Sequence, residues 1–355
     1  MLRASAAWLA ARDALPTAVQ AVLGYYADSG LFDYGSLRLK RRVDGVTETL
    51  VDDAFAAVEA RAEAEFDAPV DFAYDTKLIL PAKLTLGYLY RRADCADDHA
   101  DRLTRLVVEA LVDGDMRDAV NDAEYDDFEV RVGGAVVTDQ QRRRVAELAQ
   151  ETLEARVEDL FSAFPAGVRA AYERAVEASE RHQAQDPHFR RLMARAEAGD
   201  SDALEAVRAE YRDAEFTDPP EAFGEAEREL PYIKTQYDRV GVIYEGMVGM
   251  YRAADLPVSP AFERSIVLAI IGAQVWLDDV DDYAADMREG QLTPVTAEYL
   301  LAERDRTAYD RVLGAANGYL DLAKAHATAA DSALTGIATE YIYRDGEPEL
   351  LPGNH

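Results

Sequence analysis

Lysine is scarce in this chain: five in 355 residues, at positions 40, 77, 83, 234 and 324. Cysteine is scarcer, with Cys95 alone. A single thiol excludes an internal disulfide framework and any cysteine-built zinc site, and it fits a reducing cytoplasm. The 38 basic residues face 68 acidic ones, for a formal charge of −30. No basic stripe exists to displace counterions from a phosphate backbone, so no nucleic acid partner is expected. An acidic surface with arginine preferred to lysine suits a halophilic setting, where salt screens self-repulsion. Long hydrophobic runs are missing too. The longest, Ile266 to Leu277, contains Gln274 and is short for a bilayer span. No signal-peptide pattern opens the sequence, so a cytoplasmic protein is expected. The chain also lacks G-x-x-x-x-G-K-[ST], H-E-x-x-H, G-x-S-x-G and G-x-G-x-x-G. None of its five histidines has a glutamate three positions before it, which excludes the di-iron bundle pattern.

What remains is helical. Hydrophobic residues make up 49% of the chain, enough for a sizeable core. Helix-period patterning covers roughly 17–27, 47–66, 76–113, 139–163, 165–184, 200–214, 220–254, 260–289 and 304–343. One hairpin stands out in "FEVRVGGAVVT", two short β-like runs joined by Gly133-Gly134. The stretch 185–220 is the most polar and reads as an excursion from the core. The expected architecture is all-α: a single domain over 1–355, one large helical bundle with a peripheral insertion around 120–220.

Two acidic clusters carry the chemistry. In "AQVWLDDVDDYAADMREGQLTPV", Asp278, Asp282 and Asp286 stand at i, i+4 and i+8, one above another on a helix face. Three carboxylates on one stripe repel unless a cation sits among them, and magnesium is the hard ion that prefers such oxygens. In "LGYLYRRADCADDHADRL", Asp94, Asp97, Asp98 and Asp101 share a face in the same way, about 180 residues earlier. His99 lies one residue off that stripe. Each cluster follows an apolar segment, so its carboxylates enter from a buried helix and need a partner. In so acidic a chain a lone D-D-x-x-D is weak; the weight rests on the shared context of the two.

These residues resemble the class I isoprenoid synthases: squalene and phytoene synthases, trans-prenyl diphosphate synthases and class I terpene cyclases. Asp282-x-x-x-Asp286, then Gly290 and Pro294, is similar to the second acidic motif of squalene/phytoene synthases, with Asp278 where that family has asparagine. Asp94 and Asp98 resemble the first such motif, and Asp97, Asp98 and Asp101 the D-D-x-x-D of the other families. Lys234-Thr235 in "YIKTQYDRVGVIYEG" looks like the Lys-Thr segment of prenyl diphosphate synthases. Departures are specific. No paired arginines and glycine follow the first motif, Gln291 replaces the usual arginine, and Gln274 is one residue out of register. The resemblance covers residues 75–105 and 230–300.

The resemblance implies two stripes facing each other across the mouth of an all-α bundle, with Mg2+ bridging them to a prenyl diphosphate. Asp94, Asp97, Asp98, Asp101, Asp278, Asp282 and Asp286 become metal ligands; Asp98, Asp282 and Lys234 become the catalytic set. Arg91, Arg92, Lys234, Arg239 and Tyr237 become substrate-binding residues. Tyr88, Tyr237, Tyr244 and Trp276 are aromatic candidates for sheltering a carbocation. The leading expectation is a magnesium-dependent prenyltransferase of the squalene/phytoene type. Terpene cyclisation comes next, then chain elongation or a homologue without the chemistry. Peripheral membrane contact for an apolar product and a homodimer are the partners this reading admits.

Overall fold

The computed structural model describes residues 6, 10, 15–30, 34–92 and 95–354, apart from the side chains of Tyr34 and Lys77. The fold is all-α with one small three-stranded sheet. Contacts divide the chain into two compact units. The first combines residues 1–33, 173–246 and 258–355; the second combines 34–172 and 247–257. The 120–220 stretch is shared between them, its first part in the second unit and the rest in the first.

In the first unit the Pro260–Ala273 helix packs along the Asp305–Ala329 helix. Ser259 caps its start, the hydroxyl accepting from the Phe262 amide at 3.2 Å, and Pro260 fits the first turn, where its missing N–H costs nothing. Its sequence is apolar on every side, and Ile266, Val267, Leu268 and Ile271 are all buried. Gly272 lets the two helices close: a Cβ there would stand 2.7 Å from Leu320. The stretch Pro260–Asp281 is long and apolar enough to cross a membrane, and 61% of its apolar window is buried inside the protein. The polar-looking 185–220 region also belongs to this core. Its Asp186–Glu197 helix presents Phe189, Leu192, Met193 and Ala196, at helical spacing, to Tyr211, Tyr232 and Leu292. Its polarity is that of the opposite face.

Glu298, 1% exposed, anchors this side of the unit. It accepts from Arg212 at 2.8 Å and from the Tyr232 hydroxyl at 3.0 Å, with Arg311 at 3.5 Å. Tyr232 is a non-glycine residue held at φ 65, and its amide donates to the Arg212 carbonyl at 2.6 Å. That strained residue immediately precedes the helical turn Ile233–Gln236, which contains Lys234-Thr235.

In the second unit, the Asp97–Asn121 helix packs on the Asp139–Phe161 helix. Between them Glu109, 0% exposed, takes a two-pronged contact from Arg156 at 2.8 and 2.6 Å. The Gly133-Gly134 hairpin forms as the sequence suggests, both glycines in the left-handed region at φ 59 and 74. It joins β2 (Glu129–Val132) to β3 (Ala135–Val136). A strand the periodicity does not reveal, β1 (Val70–Ala73), pairs antiparallel with β2, Val70 opposite Val132. The short 247–257 stretch is tied to the Asp97–Asn121 helix by His99 Nε2 on the Ala254 carbonyl at 2.7 Å and by Thr104 on the Tyr251 hydroxyl at 2.9 Å.

Glu298→Ala leaves the Tyr232 hydroxyl and a largely covered guanidinium without their acceptor. The expected loss is about 3 kcal/mol, read as an earlier urea midpoint at unchanged slope. A midpoint equal to the wild type would show that the network adds no net stability.

Candidate functional site

The second acidic cluster is built by two irregular turns of the first unit. After Ala273 the long helix passes through a π-helical turn, Gln274–Asp278, and then the short Asp279–Asp281 turn. A π-turn takes up one extra residue and rotates the residues beyond it relative to an ideal helix. Asp278 is left exposed, and Asp279 turns inward to 2% exposure. The Tyr283–Glu289 helix comes next, stopped by Gly290 at φ 68. On the facing segment a second π-turn, Tyr237–Gly241, carries Arg239.

The two turns meet in an ion pair. Asp279 Oδ1 accepts from Arg239 at 3.1 Å and from Gln274 at 3.5 Å, while Oδ2 is buried with no hydrogen-bond partner among the described residues. Burial pushes the Asp279 carboxyl up, and the guanidinium opposes that rise. Burial likewise works against the Arg239 charge, but Asp279 and Tyr211 hold it firmly protonated. Asp286, half-buried, is pushed up to about 6 by its burial and then by the charges of Asp279 and Asp282, against the pull of Arg239. The carboxylates that act on one another are therefore Asp279, Asp282 and Asp286. Asp279 is the member that strict helical spacing passes over.

Around this pair lies a polar interior. Tyr211, 3% exposed, donates to the Leu292 carbonyl at 2.8 Å and accepts from Gln236 Nε2 at 3.3 Å. Gln236 is 0% exposed, and its Oε1 has no partner among the described residues. His182, buried, is held neutral by burial near Asp186, Asp238, Arg239 and Lys234. Lys234 is half-buried and bound to Asp238 one turn on. Tyr237 donates to Glu245 and packs edge-on against Phe216 and Phe223, at 5.6 and 5.5 Å. Trp276 stacks on Tyr343 with the planes 2° apart and donates to its carbonyl at 2.9 Å; Tyr244 is buried in this unit too.

The first cluster belongs to the second unit and has a different character. The stretch expected as one helix over 76–113 contains two, Leu80–Leu89 and Asp97–Asn121, so Asp97 and Asp98 open a new helix. Asp97 and Asp98 lie in its first turn, where the helix dipole favours negative charge. Arg42 pairs with Asp97 at 2.6 Å and lies 3.8 Å over the Tyr90 ring, and the Tyr90 hydroxyl donates to Asp101. Asp98 is exposed, and Asp94 lies outside the described residues. Arg91 and Arg92 are exposed, Arg92 5.4 Å from the centre of the buried Tyr88 ring. Two of these carboxylates thus have local partners on the second unit's own side chains.

Among the described residues, no three carboxylate, imidazole or thiol groups are grouped so as to hold a metal ion by themselves. Asp282 and Asp286, one turn apart, offer a pair. Magnesium keeps several waters and takes one or two carboxylates plus substrate phosphates, so a pair beside an uncompensated negative field fits it. Asp279, Gln236 and Tyr211 are the site residues that sequence reasoning missed. The one available signal was the Gln274 offset, which coincides with the π-turn.

Because Asp286 binds its proton more tightly folded than unfolded, the folded state holds the extra proton as pH rises from about 4 to about 6. Stability should therefore fall across that window and level off above it. In chelator, Asp286→Asn should match the wild type near pH 4 and exceed it at pH 7. The gain should be roughly 1 to 2 kcal/mol after discounting for partial exposure. Parallel stability–pH curves for the two proteins would contradict the assignment. No protein-family model, curated protein or solved structure matches this chain.

Proposed function

We propose that the protein is a magnesium-dependent isoprenoid synthase that ionises an allylic prenyl diphosphate, closest in motif to squalene/phytoene-type condensation. The observation that carries this reading is the unbalanced charge of the second cluster. Asp279, Asp282 and Asp286 act on one another with Arg239 as the opposing charge, and Asp286 is pushed up by its burial first and by the neighbouring carboxylates next. The motif resemblance adds to it. Gln274, one residue out of register with the family glutamine, is a departure from it, and it opens the π-turn Gln274–Asp278.

In this reading Asp282 and Asp286 would hold Mg2+, which would supply positive charge against a diphosphate leaving group. Arg239, kept protonated by Asp279, and Lys234 add positive charge near the leaving group. His182, neutral, adds no competing charge. In the second unit, Asp98 is an exposed carboxylate of the first cluster, and Arg91 and Arg92 are exposed cations a few residues before it in the sequence. A second reading, a helical protein that keeps the motifs without the chemistry, is favoured by one observation: Arg42 and Tyr90 already take up Asp97 and Asp101. Terpene cyclisation shares the ionisation step and differs in consuming one diphosphate per hydrocarbon.

Pyrophosphate release by the purified protein in concentrated KCl, with farnesyl or geranylgeranyl diphosphate, should require magnesium and stop with chelator. Asp282→Ala and Asp98→Ala should each lower it about 100-fold or more while the far-ultraviolet circular dichroism stays unchanged. Two diphosphates per hydrocarbon would mark condensation, and one cyclisation. Absence of release from both substrates would support the non-catalytic reading.

A further inference from the structure

In the first unit the Thr17–Ser29, Asp305–Ala329 and Ala333–Asp345 helices line a cleft of about 370 Å3, at the small end of the range that small-molecule sites occupy. Lys324, one of only five lysines, lines it with Arg344 and Glu340. Glu340, 3% exposed, is the fixed point. Its Oε1 accepts from Arg344 Nε at 2.9 Å and its Oε2 from Lys324 at 3.1 Å, while Arg344 Nη1 donates to the Ala10 carbonyl at 3.0 Å. Gly24 lets the Thr17–Ser29 helix come this close, since a Cβ there would collide with the Glu340 carboxylate. Lys324 has two further contacts of a looser kind. Asp321 and Asp28 lie 3.3 and 3.5 Å from its Nζ, and their side chains are 73% and 64% exposed. Exposed pairs of this sort contribute little to stability. Asn317 also lines the cleft, half-buried, and its amide makes no hydrogen bond among the described residues. The rest of the wall is short or aromatic: Ala10, Gly24, Ala27 and the ring of Tyr343.

This lining selects a charge type. Two cations and three carboxylates share the cleft, so an anion meets an excess of its own sign. A lone cation meets Lys324 and Arg344, which the buried Glu340 holds in place. A zwitterion meets neither difficulty. Its carboxylate accepts from Lys324 in place of the loosely held Asp321, and its ammonium donates to the Asp321 carboxylate so released, leaving every charge with a partner. Lys324 and Asp321 stand one turn apart on a single helix, so the two ligand charges must also lie close together, as they do on one α-carbon. Asn317 offers both a donor and an acceptor to the polar end, and the short, aromatic wall suits an apolar side chain. We propose that this cleft binds a zwitterionic α-amino acid with an apolar side chain, its carboxylate on Lys324 and its ammonium on Asp321. The site does not depend on the diphosphate chemistry proposed above.

The test is isothermal titration calorimetry of the full chain, at one fixed KCl concentration, with L-leucine as the probe. Isocaproate and isoamylamine carry the same side chain with only the carboxylate or only the ammonium. Leucine should bind saturably, and each analogue about 10-fold or more weakly. Asp321→Asn should erase the advantage of leucine over isocaproate, and Lys324→Met its advantage over isoamylamine. Absence of saturable leucine binding up to about 10 mM would overturn the site. So would either analogue binding as tightly as leucine, since a single charge would then suffice. Unchanged leucine affinity in both variants would put the binding elsewhere and overturn it as well. Should Lys324→Met not fold, Asp321→Asn, at an exposed position, decides by the same comparison. None of these readouts requires turnover, so failure here and failure of the proposed enzymatic activity are separate results.

Discussion

A carboxylate at 2% exposure cannot stay charged without a partner, and Asp279 meets that demand with Arg239 at 3.1 Å. Much of the first unit is arranged around bringing those two groups together. Arg239 reaches inward from a π-turn that begins at Tyr237, and Asp279 from one that begins at Gln274. Gly241 keeps the two segments close: a Cβ there would stand 3.2 Å from Ile271 and Val267. Upstream, the strained Tyr232 sets where the Lys234 turn begins, and the buried Glu298 holds its hydroxyl. Thr235 donates to the Tyr211 carbonyl at 3.0 Å, which locks that turn to the segment supplying Tyr211. The strain at Tyr232 is therefore opposed from both sides of the turn, by backbone and by a buried carboxylate.

The two acidic clusters look alike as strings of letters and differ as physics. In the second unit, Asp97 and Asp98 open a helix, where carboxylates are favourable without any ligand, and Arg42 and Tyr90 complete the local balance. In the first unit the carboxylates close a buried helix. Arg239 opposes the charges of Asp279, Asp282 and Asp286, and the proton affinity of Asp286 is raised by burial first and by its acidic neighbours next.

How much of this was legible depends on what each feature writes into the sequence. Regular helices with capping residues are written plainly. The 139–163 expectation became Asp139–Phe161, begun by a Thr138–Gln141 capping box, and the Gly133-Gly134 turn formed as its glycines require. Irregular turns are not written. Nothing in "AQVWLDD" distinguishes a π-turn from an α-turn, so i, i+4 counting selected Asp278 when the fold buries its neighbour. The division between the Leu80–Leu89 and Asp97–Asn121 helices was hidden because alanine and arginine favour helix. The 186–197 helix was hidden by its own polar face, although Phe189, Leu192 and Met193 carried the spacing of a buried stripe. Gln236 and Tyr211 could not be paired at all, since they are 25 residues apart and only the fold makes them neighbours.

The surface charge and the buried site answer to the same solvent. With 68 acidic residues against 38 basic ones, the folded chain is under self-repulsion that only dissolved cations can screen, and such screening acts mainly on exposed charge. Asp279 lies beyond its reach. Bulk salt cannot offset a carboxylate at 2% exposure, so the interior needs its own compensation, fixed in place: the Arg239 guanidinium on Oδ1. Arg239 suits this role because a guanidinium stays charged when buried, whereas a lysine ammonium in the same position would shed its proton more readily. The preference for arginine that marks the surface composition recurs at this half-buried position, where its physical ground is a charge retained beside a buried carboxylate.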